Sequence, residues 1–386
     1  MPEPVEVSEK FVEAFKAAKA LLEKSQRILV SGHLSPDGDS IGAMTAVERM
    51  LKAAGKDAVA SADLKSLGKM SFLQAAKGIV PLKRIKRKRF DLLFVVDCAA
   101  LDRLPVEIRP FAQRIPVLAI DHHRTNTDFG TVSIVDPDAS SACQLVWQFS
   151  KFMGWEMDST VAESLWTGMV TDSGKFSYQS TTPATLHAAA DVLSHGVNTA
   201  RINDIIFGTF SAKAIKLKRI LWRSLHIWKN RKVAEVSLSR DDFRSVRGTK
   251  ADAEDGVEIP RSVMRNEIAL YFYQIPDRTQ ETRVSIRTRE PWDATVLAGR
   301  FGGGGHLRAA GCTIKGTMNE AKRLMRKAVK EMLAQGKAPA VKAAKAAEPA
   351  PAPQPAPAPL PAPAPQPAPA PEQPPKEINE PGGEQQ

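Results

Sequence analysis

The chain has 386 residues, 43% of them hydrophobic and 25% charged, an ordinary balance for a soluble globular protein and more than a single hydrophobic core usually holds. No apolar run approaches the roughly 20 residues that a bilayer-spanning helix needs, so no membrane-spanning helix is expected. The 54 Lys and Arg outnumber the 43 Asp and Glu for a formal +11, a balance that favours polyanionic partners.

The first residues are acidic and amphipathic, so no secretory signal is expected. Cys98, Cys143 and Cys312 are odd in number and lack metal-type spacing, which suits a reducing cytoplasm. Residues 8–25 carry an amphipathic pattern through Phe11, Phe15, Ala18 and Leu22 that predicts a helix laid against the first domain. The apolar run Arg27 to Ser31 reads as a strand, and Ile41 to Ala54 as a helix that Gly55 ends. Apolar runs at 90–96 and 116–120 then alternate with helical patterns at 140–153, 159–171 and 183–195. Strands alternating with helices predict an α/β domain with a largely parallel sheet, over residues 8–198.

A helical pattern from 199 to 225 carries no ligand cluster and predicts a helical linker over 199–230. Strands at 232–237, 267–273 and 282–287, a helix opened by Asp293 and a final helix to Gln335 predict a smaller α/β domain over 231–336. From 337 to 386 Pro and Ala dominate, a composition that predicts a disordered, polyproline-like tail.

Four acidic or histidine-bearing clusters punctuate the first domain: His33 with Asp37 and Asp39, Asp97 after a strand, Asp121-His122-His123, and Asp172 in Thr171-Asp172-Ser173-Gly174. In parallel sheets ligands bind where the strands end, so the topology gathers these clusters on one edge. Separately, each has a plain structural reading as a turn, a cap or a surface histidine. Together their oxygen-rich donors with imidazoles suit Mn²⁺ or Mg²⁺. Two such ions, roughly 3.5–4 Å apart, activate water and stabilise phosphoryl charge.

The order and wording of these motifs resemble the DHH phosphoesterase superfamily, whose name is spelled by Asp121-His122-His123. The resemblance continues through Ile259 to Ser262, Val284 to Arg287 and Phe301-Gly302-Gly303-Gly304-Gly305-His306 with Ala309 to Cys312, which look like the DHH-associated domain. It implies that His33, Asp37 and Asp97 hold one manganese ion, and that Asp39, Asp97, His122 and Asp172 hold the other, Asp97 bridging. It also implies that Asp121 orients His122, and that His123 touches the scissile phosphate or protonates the leaving oxygen. Gly303, Gly304, Gly305, His306 and Arg287 would bind substrate, because a glycine run lets backbone N–H groups approach an anion; Arg308 is a weaker candidate.

Within the superfamily the compact two-domain layout is similar to the oligoribonucleases that also dephosphorylate 3′-phosphoadenosine 5′-phosphate (pAp). The expected activity is Mn²⁺-dependent hydrolysis of very short RNA, linear dinucleotides and pAp, in a cytoplasmic protein, with a homodimer as a further expectation. Two competing expectations are a cyclic-di-AMP phosphodiesterase and a catalytically silent nucleotide-binding protein. The basic run Lys83 to Arg89 reads either as a solvated loop or as a guide for longer RNA. Tyr271, Phe272 and Tyr273 read as core rather than as a base-stacking platform.

Overall fold

The computed structural model describes residues 9–274 and 280–336, so the Pro/Ala-rich stretch from 337 onward lies outside the described residues. Its first sheet is built from β1 (Arg27–Ser31), β2 (Asp57–Ala62), β3 (Val80–Pro81), β4 (Leu92–Val96), β5 (Val117–Asp121) and β6 (Val132–Val135). Their spatial order is β3-β2-β1-β4-β5-β6, with every pairing parallel. The central strands are apolar without interruption because both faces of the sheet are covered. Ile28, Val30, Phe94, Val96, Leu118 and Ile120 point into one core, and Leu29, Leu93, Val95, Val117 and Ala119 into the other.

The helices on this sheet are α1 (Glu9–Glu23), α2 (Gly38–Ala53), α3 (Leu82–Ile85), α4 (Arg109–Ala112), α5 (Ala142–Met153), α6 (Ser159–Asp172) and α7 (Pro183–Ser194). The longer ones, α1, α2, α5, α6 and α7, share the first core. Leu82 and Ile85 of α3, with Leu104 and Ile108, close the second. The spacing of α2 and α6 depends on glycine. A Cβ on Gly168 of α6 would lie 2.2 Å from Cys143 Sγ and 2.6 Å from Asp39 Oδ1, so no larger side chain fits without displacing α2.

The predicted linker is helical but divided. After α8 (Thr199–Asn203) the chain makes one wide turn at 204–208, and Thr209 is extended before α9 (Ala212–Arg223) starts on its cap Ser211. The Thr209 N–H reaches back to the Asp204 carbonyl, and neither Gly208 nor Thr209 favours helix continuation.

A second sheet follows, of β7 (His226–Trp228), β8 (Val233–Leu238), β9 (Ile268–Tyr273), β10 (Glu281–Thr288), β11 (Gly304–His306) and β12 (Ala309–Lys315). It runs β11-β12-β10-β9-β8-β7 and is antiparallel except between β8 and β9. In chain order its helices are α10 (Arg240–Ser245), α11 (Glu258–Arg261), α12 (Ala294–Gly299) and α13 (Met318–Ala334). Side chains of α12 and α13 fill one face of this sheet and those of α9, α10 and α11 the other. Tyr271, Phe272 and Tyr273 are buried in these two cores. Among the described residues no helix is long and apolar enough to cross a membrane.

Candidate metal centre

The carboxyl ends of β1, β4 and β5 and two helix ends bring the acidic and histidine clusters together. Beyond β1, Asp37 caps α2 by accepting from the backbone N–H groups of Asp39 and Ser40, while Asp39 stands in the first turn of the same helix. At the end of β4, Asp97 takes a left-handed backbone conformation with φ 53°, uncommon for a residue with a side chain. Asp121 closes β5, and Asp172 is the last residue of α6.

Three groups of donor atoms lie within 4.8 Å of one another: His33, Asp37 and Asp97; Asp39, His122 and Asp172; and Asp97, His122 and His123. His33 Nε2 is 3.3 Å from Asp97 Oδ2. His122 Nε2 stands 3.3 Å from Asp172 Oδ2, and 3.7 Å from both Asp39 Oδ2 and Asp97 Oδ1. The first two groups therefore meet across Asp97.

One expected contact is different. The Asp121 carboxylate bonds His123 Nδ1 at 2.7 Å rather than orienting His122, whose Nδ1 faces the Ala139 carbonyl at 3.3 Å. Residues i and i+1 leaving a strand point to opposite sides, so Asp121 and His123, two apart, are the pair that meet. Asn126 Nδ2 holds the second Asp121 oxygen at 2.6 Å.

Burial dominates the electrostatics. It pushes the Asp97 carboxyl well above the ordinary range, reinforced by the charges of Asp37, Asp39, Asp121 and Asp172. Burial and the same kind of repulsion raise Asp172 well above that range, with His123 and Arg287 opposing. Asp39 is raised by burial too, although His122 and the N–H groups at the start of α5 counteract it. Those donors are Ala142 N at 2.6 Å and Cys143 N at 2.9 Å. Burial lowers His33 against the pull of Asp37, and Arg103 adds to the lowering. Burial would raise Asp121, but the bonds from His123 and Asn126 outweigh it and hold this carboxyl low.

Several carboxylates forced together out of water, with imidazole nitrogens between them, are what a divalent cation stabilises and an empty pocket does not. The donor set fits Mn²⁺ or Mg²⁺.

The second sheet supplies what faces this cluster. Arg287 on β10 lies near enough to lower Asp172; its Nη1 donates to the Ile286 carbonyl at 3.1 Å, while its Nε is buried without a hydrogen-bond partner. Arg308 is engaged instead, by the Trp292 carbonyl, Glu290 and Gln179. The glycine run divides its work: Gly302 and Gly303 donate their N–H groups to Gly299 and Ala298 to close α12, so Gly303 is not a free anion donor. A Cβ at Gly303 would meet the Gly311 carbonyl oxygen at 2.2 Å, whereas at Gly304 the space is open. His306 falls in β11, but its side chain lies outside the described residues. The segment after Asp172 touches the second sheet's lobe, with Arg261 4.9 Å above the Tyr178 ring and Gln179 bonded to Glu290 at 2.7 Å.

Residues 27–169 match the DHH family, N-terminal domain, and residues 255–335 the DHHA1 domain. The bifunctional oligoribonuclease and PAP phosphatase NrnA of Thermus thermophilus is 31% identical over 310 residues, 79% of this chain and 90% of that protein. The chain belongs to the DHH family of phosphoesterases. A Bacillus subtilis DHH relative with the same name is 22% identical over 77% of this chain and 92% of its own length. The crystal structure of an exopolyphosphatase-related protein from Bacteroides fragilis shares the fold, with a TM-score of 0.76 at 24% identity over 84% of this chain and 97% of that one. As a DHH member the protein is a hydrolytic enzyme acting on phosphate esters.

Proposed function

We propose that the protein hydrolyses very short oligoribonucleotides and linear dinucleotides to mononucleotides, and pAp to AMP and phosphate, in the cytoplasm. The observation that carries this reading is a pair of carboxylate–histidine groups meeting at Asp97, faced by a buried, unpartnered Arg287 nitrogen from the other sheet. The names of the Thermus and Bacillus relatives support the substrate class. Residues 8–198 are then the catalytic domain and 231–336 the substrate domain, joined by 199–230.

In this reading His33, Asp37 and Asp97 hold one ion, and Asp39, Asp97, His122 and Asp172 the other. Two divalent ions held there, manganese by preference, would supply water activation and charge neutralisation at the phosphoryl group. The protein's own groups do the rest. Arg287 offers a guanidinium to the phosphate, positioning it by charge-assisted hydrogen bonds. Asp121 bonds Nδ1 of His123 and so orients the ring, whose Nε2 carries a proton to the leaving ester oxygen as the P–O bond breaks. The α5 N-terminus fixes both oxygens of Asp39, so that carboxylate cannot swing away. Burial of Tyr271, Phe272 and Tyr273 keeps these rings from serving as a base-stacking platform, so recognition rests on the phosphates.

The test is turnover of pApA, a five-nucleotide RNA, a 24-nucleotide RNA, pAp and cyclic di-AMP with Mn²⁺, beside an Asp97→Asn control. Fastest loss of the short linear substrates and pAp supports the reading; dominant cleavage of cyclic di-AMP replaces it with signalling turnover, and binding without cleavage makes the chain a nucleotide-binding protein. Arg287→Ala is expected to raise KM for pAp roughly ten- to hundredfold, the range of a lost hydrogen bond to a charged group, with a smaller change in kcat. Steady-state kinetics on both proteins checks it.

A further inference from the structure

The run Lys83-Arg84-Ile85-Lys86-Arg87-Lys88-Arg89 is not a loose loop. Its first half is α3, anchored by Leu82 and Ile85, which are buried in the second core of the first sheet. All six cations of the run are exposed around those anchors. Lys83, Arg84, Lys86, Arg87 and Lys88, with Val80, line an open concavity of about 730 Å³.

Nothing acidic neutralises this surface among the described residues. Asp91, the acid next in sequence, is taken up by the backbone N–H groups of Gln26 and Arg27 at 2.9–3.2 Å. No member of the run forms an ion pair with another described residue. Five like charges facing one hollow repel each other, and the arrangement is stabilised when a polyanion lies in it.

The location separates this surface from the candidate metal centre. The concavity opens at Val80 of β3, and β2 and β1 lie between β3 and β4, the strand that Asp97 follows. Three interstrand spacings of about 4.8 Å put some 14 Å of sheet between them.

We propose that this concavity holds the phosphate backbone of single-stranded RNA whose end lies in the metal centre. The proposal rests on the oligoribonuclease reading above and extends the substrate class upward in length, to RNA long enough to span β2 and β1. A dinucleotide or pAp cannot reach both places. A concave cationic surface suits a nucleic-acid backbone better than a membrane, because residues 79–90 contribute no exposed large hydrophobic side chain that would enter a bilayer.

The test compares the wild-type chain with Lys86→Gln/Arg87→Gln/Lys88→Gln and with Lys213→Gln/Lys216→Gln/Arg219→Gln, which removes equal charge from exposed positions of α9. Binding of a fluorescent 12-nucleotide RNA is measured by anisotropy in EDTA across a salt series, so that it does not depend on catalysis. Each lost phosphate contact lowers the salt slope by about 0.7 for a single strand. The first variant is expected to bind at least tenfold more weakly with a slope shallower by about 2, and to cleave pApA at the wild-type rate, which also shows that it folds. The α9 variant is expected to bind nearly as the wild type does.

Unchanged affinity and slope in the first variant, or equal losses in both, overturns the proposal. So does a loss confined to binding of phosphatidylserine vesicles. A wild-type chain that fails to cleave pApA with Mn²⁺ removes the oligoribonuclease reading, and the binding comparison still decides the surface.

Discussion

Asp97→Asn is expected to reduce turnover of pAp and pApA by about 10³-fold or more while the folded structure persists. Asp97 is the residue at which the two donor groups meet, with His33 at 3.3 Å on one side and His122 at 3.7 Å on the other. In the proposed two-ion reading, removing its charge takes away a bridging donor, and several kcal/mol of charge stabilisation correspond to about that factor in rate. Asn is the informative replacement because the position has φ 53°, which Asn adopts readily and Ala does not. Loss of rate in the Asp97→Asn protein then reports chemistry rather than backbone strain. Turnover within tenfold of wild type, with full melting cooperativity, would remove Asp97 from its proposed place.

The same repulsion makes the metal-stripped protein a sensitive reporter. Asp39, Asp97 and Asp172 have folded-state values above the ordinary carboxylate value, chiefly from burial. Between that ordinary value and the raised ones, the folded chain holds protons that the unfolded chain has released. Stability of the stripped protein therefore falls as pH rises through that window and recovers on mild acidification. Asp121, Asp158, Asp191 and Asp252 are shifted the other way; their contribution is lost only when pH drops below the ordinary value, so it does not mask the effect. Bound ions reverse the trend near neutrality. At a hundred times Kd one site contributes about 2.7 kcal/mol, a melting-temperature rise of several degrees. Calorimetry with EDTA and with Mn²⁺ from neutral into mildly acidic pH should show the two curves converging as pH falls, and Asp97→Asn should raise the stripped curve. Parallel curves would mean that the cluster carries no such stored repulsion.

Much of the fold was legible because its signals are local. The apolar runs before Asp97 and Asp121 read as strands because they alternate with helical patterns, and Asp293 announced α12 as a cap. The candidate site was legible at its side chains, since Asp and His types at strand ends carry their chemistry in their identity. What escaped was supplied by backbone or by distance along the chain. Ala142 and Cys143 act on Asp39 through N–H groups across 103 and 104 residues, and Ala139 meets His122 through a carbonyl; nothing in those side chains betrays it. Asn126 and Arg103 approach Asp121 and His33 through loop folding that has no period to read. The glycine run misled in part because glycine serves equally to end a helix, to let strands touch and to admit an anion. The divided linker looked continuous because its apolar spacing persists through the turn at 204–208.

Gly168 sets a dimension as well as a packing contact. It stands between Cys143 and the Asp39 carboxylate, one turn ahead of Asp172 on the same helix. The gap across which Asp39 and Asp172 face His122 is therefore gauged by a single hydrogen atom, and a methyl group there would reset the bite of the whole donor set without altering any of its members.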